Sequence, residues 1–142
     1  MPRFSNRSLD SLRGVHPTLV AILKEAITDT PVDFTIVEGL RTTERQQQLY
    51  AQGRTTAGVR VTNADGVRHV SNHQAKADGY GHAVDLYPYV DGRVHVTGDD
   101  VPEWLRQIAR HIQHIARRHG AAVTWGGDWA SLRDYPHFEI SL

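Results

Sequence analysis

The stretch SNHQAKADGYGHAVDLYP, residues 71 to 88, holds two histidines and two aspartates, with His69 just upstream. Its second half decides the fold. AVDLYPYV alternates as a β-strand, and Asp91-Gly92 predicts a hairpin into RVHV. Asp85 lies inside that strand between Val84 and Leu86, in the most apolar part of the middle of the chain. A carboxylate buried there needs a cation, a metal or several hydrogen-bond donors. Successive strand side chains point to opposite faces, so His82, three residues away, faces away from Asp85 if the strand starts by residue 82. His73 can fold back over the strand through the glycine-bearing loop and is the better partner.

A second fragment, WGGDWASLRDYPHFEI (residues 125 to 140), supplies the other half. Pro136 stiffens the approach to a final strand in which Phe138 and Ile140 share one face and His137 and Glu139 the other. Two histidines and one carboxylate leave a fourth position open on a tetrahedral zinc, the catalytic form of such a site. Asp134, three residues before His137 across a turn, has the spacing for a general base acting on water. Glu139 is read either as a group orienting a ligand or as an exposed strand residue. Trp125 and Trp129 flank a Gly-Gly bend and are read as core or as the wall of a substrate groove.

Outward from these fragments, Leu19, Ile22, Leu23, Ala26 and Ile27 mark a helix from Pro17 that ends before Pro31. DFTIVEGL reads as a short strand. A second helix begins at Thr42 or Thr43, where Thr43 and Gln46 have capping-box spacing, and stops at Gly53. Residues 54 to 72 have no regular period and predict a long loop. A third helix follows Asp99 or Asp100 as cap, with Pro102 in its first turn, a row of Trp104 or Leu105, Ile108, Ile112 and Ile115, and Gly120 at its end. His111, His114 and His119 on that helix are read as solvated or helix-end residues. AAVTW and PHFEI are the last two strands. The mixture without strict alternation predicts an α+β fold in one domain, residues 1–142, with helices around a small antiparallel sheet.

Composition narrows the function. The chain has 142 residues, no cysteine, and equal numbers of basic and acidic side chains, 16 each. Thiolate metal sites and disulfides are excluded, so any metal is held by nitrogen and oxygen. The neutral balance argues against nucleic acid, leaving only a local patch of Arg106, Arg110, Arg117 and Arg118 for a nuclease reading. No run is long and apolar enough for a membrane span, and the first residues lack the apolar segment of a signal peptide. The expectation is a monomer made in the cytoplasm that reaches its target only when something else lets it out.

Taken together, SxH, GxAxD and DxxHFE resemble the M15 zinc peptidases, which share the hedgehog/DD-peptidase fold, and within them the phage-endolysin branch that cuts L-alanyl-D-glutamate bonds. GLRTTERQQQLYAQGRT, residues 39 to 55, is similar to the family's substrate-side segment, and WGGDW also looks like that branch. The resemblance implies His73, Asp85 and His137 as zinc ligands, Asp134 as base and Arg41 as the group steadying the carbonyl or oxyanion. Gln46 falls on a glutamine of that segment, implying a substrate contact beside Trp125 and Trp129. The family's usual six residues between the first histidine and the aspartate become eleven here, which predicts an inserted loop around AKADG and keeps His69 and His82 as alternative ligands. The implied substrate is the peptidoglycan stem peptide, cut after release from the host cytoplasm. The alternatives are a D-alanyl-D-alanine carboxypeptidase or dipeptidase on the same fold, and a non-catalytic zinc-stabilised wall-binding module. Asp134 with Arg41 favours catalysis over the binding module.

Overall fold

The computed structural model describes residues 2–142. In chain order the elements are α1 (Asn6–Ser11), α2 (Pro17–Ala26), β1 (Phe34–Glu38), α3 (Thr43–Ala51), β2 (Ala83–Val90), β3 (Arg93–Val94), α4 (Val101–Arg118), β4 (Ala122–Trp125) and β5 (His137–Ser141). The strands form one antiparallel sheet in the order β1-β2-β5-β4, with β3 paired to β2. This is the expected α+β arrangement.

The pleat sorts the side chains. Val84 and Leu86 of β2, Phe138 and Ile140 of β5, and Val123 and Trp125 of β4 turn to one face, where α2 and α4 close the core with Leu19, Ile22, Leu23, Leu105, Ile108, Ile112 and Ile115. The opposite face carries Asp85, His137 and Glu139. β1 reaches that face by an irregularity. Strict alternation would send Glu38 into the core with Phe34 and Ile36. Between Ile36 and Glu38 the register slips, so that Ile36 pairs with Leu86 and Glu38 with Asp85. Two residues of β1 then oppose one of β2, and the bulge turns Glu38 to the outer face.

Several expected boundaries shift for local reasons. Asp91 and Gly92 both have positive φ, 54° and 77°, as a two-residue hairpin requires, yet β3 pairs only over Arg93–Val94. The cap of α3 is Thr42, whose hydroxyl accepts from the Arg45 N–H at 3.1 Å. Gln46 therefore closes no capping box with Thr43. At α4 Asp100 occupies the cap position without a side-chain hydrogen bond. His16 caps α2 in its place in the chain, its Nδ1 accepting from the Thr18 N–H at 3.1 Å. α1 leaves no signal in the sequence: its one buried residue is Ser8, so it has no apolar period to read. Ser8 instead covers the free edge of β1, its hydroxyl accepting from the Ile36 N–H (3.1 Å). Among the described residues no helix is long and apolar enough to cross a membrane.

Candidate active site

Asp85 and His137 are direct cross-strand partners on the outer face of the sheet. His73 is delivered by the loop before β2, which is tied down where the Arg41 N–H donates to the His73 carbonyl at 2.8 Å. The three side chains meet. His73 Nε2 lies 3.2 Å from Asp85 Oδ1 and 3.2 Å from His137 Nδ1, and His137 Nδ1 lies 3.5 Å from Asp85 Oδ1.

The triangle suits a metal. Zinc bonds of about 2.0–2.1 Å place tetrahedral ligands roughly 3.3–3.4 Å apart, close to all three edges. The outward nitrogens are also engaged: His73 Nδ1 bonds the Gly39 carbonyl (2.9 Å) and His137 Nε2 bonds Glu139 Oε1 (2.8 Å). With the proton on those outward nitrogens, both rings turn a lone pair toward Asp85, and three acceptors converge on one point. Glu139 is itself held by Asn72 Nδ2 at 2.6 Å, so of its two readings the orienting one describes its surroundings. His69 and His82 stay outside this group. The ring of His82 turns to Asp78 (2.7 Å), and His69 sits on an exposed loop where its N–H caps Asp65. Asp78 and Tyr80 shape the turn, residues 76 to 80, of the segment read as inserted, whose Gly79 N–H closes on the Lys76 carbonyl.

Arg41 lies beside Asp85 with its side chain 9% exposed. Its Nε donates to Glu38 (2.7 Å), its Nη1 to Gln46 Oε1 (2.7 Å), and its Nη2 stands 3.6 Å from Asp85 Oδ2. The bulge in β1 is what brings Glu38 within reach. Gln46 is 0% exposed, and its Nε2 donates to Thr62 Oγ1 and the Ala64 carbonyl. Gln46 thus anchors Arg41 and pins the long 54–72 loop. Of the two readings of Trp125, the core one describes its place. It is 3% exposed, part of the core, and its indole N–H donates to the Tyr135 carbonyl at 2.6 Å. Trp129 does face the site, its ring centroid 5.2 Å from that of His137.

Asp134 is held by its backbone: its N–H donates to the Gly126 carbonyl and its carbonyl accepts from the His137 N–H, both at 3.1 Å. Among the described residues no donor hydrogen-bonds its carboxylate. Burial and the neighbouring Asp85 charge raise its pKa, against the lowering pull of His137, His73 and Arg41. The Gly-Gly bend explains this placement. A Cβ on Gly126 would overlap the Asp134 carbonyl oxygen and one on Gly127 the Trp125 ring. Gly126→Ala is therefore expected to push Asp134 off its position, cutting any reaction that depends on its carboxylate on the order of 10²-fold, the effect of a displacement near 1 Å. Activity assays paired with thermal denaturation check this; an unchanged rate would mean the bend does not set Asp134.

The metal-free site has a definite pH response. Burial disfavours the imidazolium of His137, but the hydrogen bonds to Asp85 and Glu139 prevail and raise its pKa to about 9. Burial opposes ionisation of Asp85 too, yet His137 and His73 hold it well below the usual carboxylate range. The His137 contribution to stability is complete below its unfolded pKa of about 6.5 and is lost as pH rises toward 9; that of Asp85 is present above about 3.8 and is lost as pH falls. The metal-free protein is expected to melt highest near pH 5 to 6 and progressively lower toward pH 9, as calorimetry would show. A metal ion held by His137 would have to displace its proton, so metal affinity is expected to rise over that same interval.

Of the four basic residues that kept a nuclease reading open, three are paired: Arg106 with Glu103, Arg110 with Asp128 and Arg118 with Glu25.

An α+β sheet that presents a His–Asp–His group able to hold a metal, with a carboxylate free of hydrogen-bond donors beside it, has the layout of a metal-dependent hydrolase. The chain belongs to the phage L-alanyl-D-glutamate peptidase family, whose model matches residues 1–141. It is 33% identical over 118 residues to the peptidoglycan L-alanyl-D-glutamate endopeptidase CwlK of Bacillus subtilis (strain 168), an alignment covering 83% of this chain and 66% of that protein. It is 27% identical over 138 residues to the L-alanyl-D-glutamate peptidase of Escherichia phage T5, covering 97% and 88%. The crystal structure of the Serratia marcescens L-Ala D-Glu endopeptidase ChiX is similar with a TM-score of 0.75 and 34% identity, over 98% of this chain and 90% of the other.

Proposed function

We propose that this chain is a zinc-dependent endolysin that hydrolyses the L-alanyl-D-glutamate bond of peptidoglycan stem peptides. The observation that carries this reading is the His73–Asp85–His137 triangle beside Asp134, in a chain that matches that peptidase family along nearly its whole length. His73, Asp85 and His137 would hold the ion, which when bound supplies a Lewis acid that polarises the scissile carbonyl and acidifies water.

Asp134 takes the proton of the attacking water and passes it to the leaving amine nitrogen. Its raised pKa suits a carboxylate that must both accept and return a proton. Arg41, fixed by Glu38 and Gln46, holds the second oxygen of Asp85 and sets a positive charge beside the oxygen that becomes negative. Glu139 and the Gly39 carbonyl keep the two imidazoles in the required tautomer. Trp129 walls the site on the β5 side. Every one of these groups comes from a single chain, so a monomer suffices. The enzyme is made in the host cytoplasm and meets the wall once another protein has opened the membrane. Chelation tests the metal requirement: it is expected to abolish lysis, and added zinc to restore it. Full lysis by a metal-free preparation would refute the mechanism.

A further inference from the structure

The outer face of β2 is open in one direction only. Ala83, two residues before Asp85, is fully buried, and Asn72 reaches Glu139 beside it, closing that end. In the other direction cover is lost step by step: Tyr87 is half-buried and Tyr89 is 41% exposed. The pleat puts Asp85, Tyr87 and Tyr89 on one face, and at about 3.3 Å per residue Tyr87 lies roughly 7 Å and Tyr89 roughly 13 Å along the strand from Asp85. One flank of this track is Thr35, the partner of Tyr87 on β1. The other is the backbone leading to His137, where the Pro136 carbonyl accepts from the Leu86 N–H, so Tyr87 runs beside the segment that carries Asp134. Beyond lies a pocket of about 300 Å³ whose walls include Tyr89, Thr35, Ser8, Asp33 and Arg3. The Tyr87 hydroxyl has no hydrogen-bond partner among the described residues. A neutral phenol offers one donor at physiological pH.

We propose that the stem peptide lies along this outer face of β2, with the Tyr87 hydroxyl donating a hydrogen bond to it next to the scissile bond and its far end resting at Tyr89. The inference rests on the peptidase reading above. A track of 13 Å holds about four residues of extended peptide, which is the scale of a stem peptide rather than of a dipeptide. The closed end at Ala83 leaves no comparable length on the other side.

The test uses the zinc-loaded protein and stem peptides of graded length. Tyr87→Phe keeps the ring and removes only the donor, so kcat/KM is expected to fall about tenfold while zinc content and melting temperature stay as in the wild type. Tyr89→Ala is expected to raise KM for the full stem peptide, with the effect vanishing when the peptide is shortened at one end. Unchanged kinetics in Tyr87→Phe, loss of zinc from it, or a Tyr89→Ala defect independent of peptide length would overturn the proposal. Cleavage by the wild type at some other bond would overturn the functional reading alone; the two tyrosine comparisons, made on whichever peptide is cut, still decide the track.

Discussion

Asp85→Ala protein is expected to purify with less than about a tenth of a zinc ion per chain and with no measurable lysis, because a structural gap at this position cannot be filled by its neighbours. Asp85 is the only carboxylate in the triangle, and its two oxygens face His73 and His137 on one side and Arg41 on the other. Without it, two neutral imidazoles and a guanidinium surround the vacated position, a poor site for a divalent cation. His73→Ala and His137→Ala are expected to lose the metal as well. Glu139→Ala should behave more mildly, with metal affinity reduced about 10- to 100-fold, as for a group that only orients a ligand. Metal analysis of the four purified variants separates these cases. Full zinc in the Asp85 variant would remove this residue from the ligand set.

Asp134→Asn is expected to retain zinc and melting temperature while turnover falls about 10²- to 10⁴-fold, the usual contribution of a positioned acid–base group. The substitution keeps size and shape and disturbs no side-chain hydrogen bond within the protein, since the segment is held by backbone bonds to Gly126 and His137. It removes only the ability to carry a proton. Metal content and lysis rate measured on one sample give the answer. Lost zinc would make Asp134 a ligand, and unchanged lysis would transfer the role of base elsewhere, with Glu139 the next group in reach.

The parts of the site that follow strand alternation were legible in the sequence. Asp85 between Val84 and Leu86, and His137 with Glu139 opposite Phe138 and Ile140, need only a period of two to be placed on one face. The preference for His73 over His82 rests on the premise that the strand starts by residue 82; β2 begins one residue later, at Ala83, and His82 stays out of the group because its ring turns to Asp78. What the sequence hid depends on pairing between distant segments. The bulge after Ile36 brings Glu38 to Arg41, yet nothing in DFTIVEGL breaks the alternation. Gln46 reads as a polar helix residue, but Arg41 on one side and the 54–72 loop on the other surround its amide and bury it. Trp125 and Trp129 differ by four positions and look alike in WGGDW. The 3₁₀ turn Gly126–Asp128 sends one into the core and the other to the His137 ring. Tyr87 has no motif to mark it, and its relation to Asp85 appears only with the direction in which the face opens.

Digestion of purified peptidoglycan, with and without zinc, followed by mass and end-group analysis of the fragments, tests the central claim most directly. The account predicts new amino termini on D-glutamate, formed by the zinc-loaded protein and absent with the metal-free protein. Release of free D-alanine, or D-glutamate termini formed equally well without the metal, would contradict it.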